Sequence, residues 1–346
     1  MRNILIMLGL ICSILCFGAC TNKTIVTRSD FVFNTVATIS LYGNYEQKVL
    51  DESFEYMREL ESMMNVFSES SAVSQINDNA GIKPVVVPKE VFEVLESGQK
   101  YNEITNGIFA LTSQPLIKLW NIGAPEVKSP PSSSEINAAK ELVDDKKLIL
   151  NSSTHEVYLT EKGMSVNLGA LVKGYVADEI KKNLKNKGVT HGIINLGGNN
   201  LLLGGKSSNE SFNIGIAHPD ASQSEPIGML QLTDQSIVTS GDSQRFFEDE
   251  NGVVYHHLIN VLTGYPEENN LRQVTIISKD SLDGDGLSTS LFFMGEKLAI
   301  EYLKSQSEIL GILITKDNRV VISSELKSTF VLLDRNYEVV NLNSLN

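Results

Sequence analysis

Apolar positions along this chain fall into three patterns. From Ile4 to Phe17 they form an almost continuous run, with Arg2 ahead of it and the small residues Gly18 and Ala19 behind it, before Cys20. A run this short is poor as a membrane span and has the layout of a secretory signal. In FVFNTVATISLYG, which ends at Gly43, Val36, Thr38 and Ser40 alternate with Ala37, Ile39 and Leu41. That period of two predicts an opening strand. From Tyr45 to Met64 the spacing changes, and Leu50, Phe54, Met57, Leu60 and Met64 recur at steps of three and four, the stripe of an amphipathic helix. KSPPSSSE predicts a surface loop entering a helix with Ser134 as N-cap. Beyond Lys147 short strands dominate, with helices predicted near 169–187 and 286–305. Strands and helices mixed without regular βα alternation predict an α+β fold. The expected organisation is a signal peptide over 1–19, a lipidated cysteine and polar tether over 20–30, and a domain of mixed sheets and helices, in one body or two lobes, over 31–346.

The cysteines sharpen the address. Cys12, Cys16 and Cys20 are the only three, so processing ahead of Cys20 leaves one, and no disulfide framework or cysteine metal site is available to the mature domain. The small-small-Cys ending is that of a bacterial lipoprotein, with Cys20 lipidated and the domain held at the extracytoplasmic face of the cell membrane. An ordinary cleaved signal and an uncleaved anchor are the competing layouts. All three place the domain outside the cytoplasm. A formal net charge of −13 excludes nucleic acid as a partner, because no basic stripe remains to neutralise phosphates. Any anionic ligand must be held by a metal, by backbone N–H groups or by a few selected cations.

Several segments carry candidate chemistry. In VNLGALVKGYVADEI, Gly169 and Gly174 read alone as turn and packing residues and Lys173 as a solvated charge. INLGGNNLLLGG sets Gly197 and Gly198 after a strand, which suits a tight hairpin or close approach of backbone to a ligand; the third glycine and distal acid of a dinucleotide fingerprint are missing. SIVTSGDSQRFF brings Ser240, Gly241, Asp242 and Arg245 together. VVYHHLINVLTGYP sets His256 beside His257. Neighbours on a strand face opposite ways, so at most one enters a given pocket, and one is enough for a general base. In DGDGLSTSLFFMG, Asp285 stands four residues before Thr289. Either Asp285 caps the helix, or carboxylate and hydroxyl share one face where Mg²⁺ bridging to phosphates would sit, with Gly284 and Gly286 allowing backbone approach.

Taken in order, GIFALTSQPLIKLW, GALVKGYVAD, INLGGN, TSGDSQRFF, YHHLINVLTGYP and GDGLSTSLFFMG resemble the successive motifs of the ApbE family, the FAD:protein FMN transferases. The resemblance implies a T-fold-like α+β domain in a lipoprotein of the bacterial envelope. It implies FAD as substrate, Mg²⁺ as cofactor, AMP as leaving group and a Ser or Thr of an envelope flavoprotein as acceptor of FMN through a phosphoester. Asp285 and Thr289 match the family's side-chain metal ligands and the carbonyl of Val172 a third. His257 falls at the position of the base for the acceptor hydroxyl, with titration expected near the ordinary histidine value of about 6.5 as shifted by its surroundings. Lys173, Gly197, Gly198, Asn199, Ser240, Gly241, Asp242, His256, Thr263 and Gly264 fall in the motifs that surround the flavin nucleotide. Phe67 stands where an aromatic lies against the isoalloxazine, core packing being the alternative. Three carboxylates of the family pattern are absent, at Ala110, Asn167 and Asn260. Their loss admits a second function, an FAD- or FMN-binding lipoprotein or FAD pyrophosphatase with weak or no transfer.

Overall fold

The structure, a computed structural model, describes residues 24–345 apart from 125, 127, 128, 221 and 244. The signal over 1–19 and Cys20 lie outside the described residues. The chain opens on a hairpin in which β1 (Ile25–Val32) and β2 (Thr35–Tyr42) pair in antiparallel register. Phe33 and Asn34 form its two-residue turn with φ of 51° and 56°, the left-handed pair that matches strand twist. Most of the expected tether is therefore strand. Its polar residues find cross-strand partners, Thr27 with Ser40 and Ser29 with Thr38 through their hydroxyls, and such pairs stabilise an edge strand as apolar ones do.

α1 (Gln47–Met64) buries the five residues its periodicity predicts. α2 (Ala72–Asp78), β3 (Val85–Val86), α3 (Lys89–Ile104) and α4 (Gln114–Trp120) follow. α5 (Ser133–Lys140) is capped by Ser132 and not by Ser134. A capping box needs Glu three residues after the cap, and Glu135 meets that only for Ser132, whose backbone N–H it accepts at 2.9 Å. β4 (Leu148–Asn151) and β5 (Glu156–Leu159) form a small sheet with β3. Then come α6 (Val172–Asn186), β6 (Gly192–Leu196), β7 (Asn199–Leu203), β8 (Phe212–Ile216), β9 (Gly228–Leu232) and β10 (Ser236–Gly241). Two hairpin pairs, β11 (Phe246–Glu248) with β12 (Val254–His256) and β13 (Ile259–Asn260) with β14 (Tyr265–Pro266), precede β15 (Leu271–Ser278) and α7 (Ser281–Ser305). β16 (Leu310–Thr315), β17 (Arg319–Ile322), β18 (Phe330–Leu332) and β19 (Glu338–Asn341) finish the chain.

One nine-stranded sheet, in the order β1-β2-β6-β7-β10-β15-β16-β17-β19, is antiparallel except at the last pair. Its central strands are apolar on both faces, and the period of two divides their side chains between two cores. Val238, Val274, Ile276 and Leu313 join the core under α1, α3, α6 and α7. Ile237, Ile277, Ile312 and Ile314 join Phe212, Ile214 and Leu230 of the three-stranded sheet β18-β9-β8 on the other side. A third cluster gathers Leu116 and Trp120 with Phe247 and Ile259. Among the described residues no helix is long and apolar enough to cross a membrane.

α7 begins a turn earlier than its periodicity indicates, so Asp285 is an interior helical residue, 3% exposed, and the N-cap reading falls. The cap comes from another helix: both carboxylate oxygens of Asp178 in α6 accept backbone N–H groups of α7, from Ser281 and Leu282 at 2.8 Å each. α6 reaches that close because residue 174 has no side chain; a Cβ on Gly174 would stand 2.4 Å from the Ser281 carbonyl oxygen. Gly284 and Gly286 do the same for packing and open no path to a ligand, since a Cβ would meet Val238 at 2.6 Å and the Tyr101 ring at 2.2 Å respectively. Burial pushes Asp178 up to about 7 against the pull of its two amide donors. An acid raised on folding stabilises fully at low pH and loses that contribution as pH rises through its folded value. Asp178→Ala should therefore lower stability by about 1–3 kcal/mol, the usual loss for orphaned helix-end donors. In urea titrations Asp178→Asn should remove the part of the parent's stability loss that falls between pH 3.8 and about 7.

Candidate active site

The centre of the site is the Asp285 carboxylate. Its Oδ2 accepts the backbone N–H of Gly174 at 2.6 Å, its Oδ1 accepts Asn199 Nδ2 at 2.5 Å, and Lys173 Nζ stands 3.5 Å from Oδ1. Burial raises its pKa, opposed by Lys173, Gly174 and Asn199. Lys173 is thus paired with a buried carboxylate and is no solvated charge. One turn along α7, Thr289 Oγ1 lies 3.1 Å from Ser240 Oγ, which is 2.9 Å from Ser288 Oγ. Val172 opens α6 two residues before Gly174, so the start of that helix, the end of β10 and one face of α7 converge on Asp285 and Thr289. The donors are carboxylate, hydroxyl and carbonyl oxygen, which suits a hard cation such as Mg²⁺. Among the described residues no group of three His, Cys, Asp or Glu could hold a metal, so a softer site is not on offer.

Hydrogen-bond accounting separates the two histidines. His256 is buried, its Nε2 lies 2.9 Å from the Glu267 carbonyl, and its Nδ1 accepts the Leu258 N–H at 3.3 Å. Both nitrogens are used, its ring meets Phe292 edge-on, and the expectation that it touches the nucleotide is corrected to a structural role. His257 is half-buried, and its Nδ1 lies 3.2 Å from the Arg245 carbonyl. A carbonyl only accepts, so Nδ1 carries the proton and Nε2 keeps a free lone pair. Burial, the Arg245 cation and, more weakly, Lys173 push His257 down to about 4, well below the value expected from sequence. Lys173 acts on both His257 and Asp285, which puts base and carboxylate in one electrostatic neighbourhood.

Gly197 and Gly198, with φ of 60° and 97°, form the tight turn between β6 and β7. Gly197 packs against Thr35, while Gly198 and Asn199 belong to the wall of a cavity of about 710 Å³ together with Thr239, Ser243 and Gln273. Among the described residues that line this cavity there is neither Lys nor Arg. Gly241 ends β10 against the backbone of β15. Asp242 has one buried oxygen without a partner and the other 3.4 Å from Arg272 Nε. Thr263 and Gly264 lie in a turn fixed against α4 and α5, where the Gly264 carbonyl accepts Trp120 Nε1 at 2.8 Å and its N–H bonds the Asn260 carbonyl. Phe67 is 82% exposed, so the core-packing alternative falls and its ring face is open.

Residues that the sequence left unassigned complete the picture. Asp178 sits inside a quoted motif, yet its role as cap of a distant helix has no local signal. Glu267 holds Asn260, whose Nδ2 donates to its carboxylate at 2.6 Å. Asn167 donates to Gln114 Oε1 at 2.5 Å and accepts the Gly169 N–H at 2.6 Å. Ala110 packs against the Trp120 cluster.

These elements define an α+β protein with a buried carboxylate, a free histidine and a cation at one end of a large sheet. The ApbE family profile matches residues 33–314, which takes in every candidate site residue except Cys20, and the chain belongs to the ApbE family. It is 33% identical over 321 residues to the FAD:protein FMN transferase of Klebsiella pneumoniae, covering 93% of this chain and 99% of that one. It is 29% identical over 351 residues to the FAD:protein FMN transferase of Treponema pallidum, covering 95% and 96%. Among solved structures the ApbE protein of Thermotoga maritima superposes with a TM-score of 0.80 at 25% identity, over 88% of this chain and 99% of that one.

Restoring the family's carboxylates should harm two of the three positions. Asn260→Asp sets a second carboxylate against Glu267, and Ala110→Asp puts one among aromatic rings, so each should destabilise by about 1–3 kcal/mol. Asn167→Asp should be milder, because Gln114 can turn its amide to donate. Urea midpoints of the three variants check this ordering, and a gain in stability at residue 260 would refute it.

Proposed function

We propose that the protein is a Mg²⁺-dependent FAD:protein FMN transferase of the cell envelope, anchored through Cys20, that links FMN to a Ser or Thr of an acceptor flavoprotein. The observation that carries this reading is the convergence of Asp285, Lys173 and the free Nε2 of His257, in a member of a family whose relatives bear that name. The acceptor oxygen attacks the phosphorus of the FMN half of FAD, its proton passes to His257 Nε2, the pyrophosphate bond breaks and AMP leaves with the bridging oxygen. Asp285, Thr289 and the Val172 carbonyl would hold the Mg²⁺, which supplies charge neutralisation at the phosphates. Lys173 and Arg245 add fixed positive charge beside it, and Phe67 offers an open ring face for the isoalloxazine. Most of the remaining work is positioning. Local partners for Asn167, Asn260 and Ala110 speak against a decayed site, since each residue is accommodated by its surroundings.

A mass spectrum of the protein incubated with FAD, Mg²⁺ and an extracytoplasmic flavoprotein domain tests the reading. An FMN adduct on Ser or Thr supports it. AMP release without adduct marks a pyrophosphatase, and intact bound FAD alone marks a binding protein. Asp285→Asn should abolish Mg²⁺-dependent AMP release, and unchanged release would sink the metal assignment. Thr289→Val should be milder, because water can replace a hydroxyl ligand. His257→Asn should keep FAD affinity and lose transfer by roughly 10²–10⁴. A base works when neutral, hence above its pKa, so kcat/KM for transfer should stay level through the mildly acidic range and fall only towards about 4. A half-point near 6.5 in the parent, as for an unperturbed histidine of about that pKa, would contradict the burial and charge that lower His257.

A further inference from the structure

We infer that the strand following the anchor holds the active site at the membrane-distal end of the domain, so that the acceptor Ser or Thr is met well above the bilayer. This rests on the transferase and anchor readings for its partner, while the polarity of the domain stands on strand and helix register. At one end, which may be called the base, Gly43 N–H bonds the Thr24 carbonyl, Tyr42 N–H bonds the His191 carbonyl and Thr190 N–H bonds the Tyr45 hydroxyl. At the other end, the tip, Gly197 N–H bonds the Val36 carbonyl and Phe33 N–H bonds Glu61 near the C-terminus of α1. The site elements are at the tip: the Gly197–Gly198 turn leads into Asn199, Lys173 lies in the first turn of α6, and Phe67 follows α1. Lys187, just past the end of α6, pairs with Glu52 early in α1 at 2.6 Å, at the base.

Two independent lengths give the separation. The eight residues of β1 span roughly 25 Å at about 3.3 Å each, and the 18 residues of α1 span about 27 Å. Cys20 lies four residues before Thr24, a link that reaches at most about 14 Å. That is shorter than the distance from base to tip, so the site approaches the bilayer only if the domain lies on its side. The exposed face of α1 mixes Glu55 and Glu59 with Lys48 and Arg58, so it offers no basic patch to draw the domain down onto anionic headgroups. An uncleaved anchor ending near Phe17 would give the same polarity, because it enters at the same strand end. The partner that fits is an extramembrane domain whose Ser or Thr loop stands off the surface, approached past the exposed cross-strand pair Phe31 and Val36.

The full chain in vesicles of phosphatidylethanolamine and phosphatidylglycerol carrying a headgroup-attached fluorescence acceptor provides the test. After signal removal and acylation of Cys20 no other thiol is left, so Val36→Cys at the tip and Asn44→Cys at the base accept a donor dye one at a time. Energy transfer to the headgroups should be severalfold stronger from residue 44 than from residue 36. Equal transfer, or stronger transfer from residue 36, overturns the upright placement, and so does recovery of both proteins free of vesicles. FMN transfer by the same preparations to a soluble acceptor domain is scored separately, so loss of the catalytic reading is told apart from loss of the geometry.

Discussion

The Asp285 carboxylate is the joint on which the site is built. Its two oxygens and one adjacent cation draw together the first turn of α6, the first residue of β7 and the interior of α7. A buried carboxylate without those partners would be expelled or protonated, so its presence fixes the distance between two helices and a strand. Gly174 and Asp178 make that distance attainable, one by having no side chain and the other by capping α7 from outside. Chemistry and packing therefore constrain the same short stretches, and this is why the motifs around Lys173 and Asp285 read ambiguously on a single sequence.

The parts legible in the sequence are those decided locally. The α1 stripe and the hairpin glycines Gly197 and Gly198 follow from the period of 3.6 and from turn chemistry. What was not legible depends on contacts across the chain. The start of α7 is set by Asp178, more than a hundred residues upstream, and Glu267, just past the next hairpin strand, gives Asn260 its partner. β1 hid because Thr27 and Ser29 pair across the strands through hydroxyls and Arg28 reaches out to Asp51 of α1, so no apolar alternation marks it. Ser134 misled as a cap because three consecutive serines offer the same hydroxyl, and only the position of Glu135 chooses among them.

The absent carboxylates show how one site tolerates a changed outer layer. An amide at 167 serves two neighbours, one as donor and one as acceptor, which a carboxylate does not do without a compensating flip. At 260 the negative charge has not vanished from the neighbourhood but stands on Glu267, within hydrogen-bond reach of the asparagine. Only Ala110 replaces a polar group with an apolar one, and it does so where an aromatic cluster can enclose a methyl.

Charge explains how an acidic protein presents a site for a pyrophosphate. With a net charge of −13, long-range attraction is unavailable, and binding must come from cations within a few ångströms of the phosphates. On the proposed reading Lys173 and Arg245 would be those cations, and both act electrostatically on His257. The same local positive field that suits the diphosphate disfavours a proton on the imidazole, adding to the effect of burial. On that reading substrate attraction and a neutral imidazole at His257 come from one arrangement of charge. The Nδ1 contact to the Arg245 carbonyl completes it by leaving the lone pair on Nε2, so the residue that supplies positive charge through its side chain also sets the tautomer through its backbone.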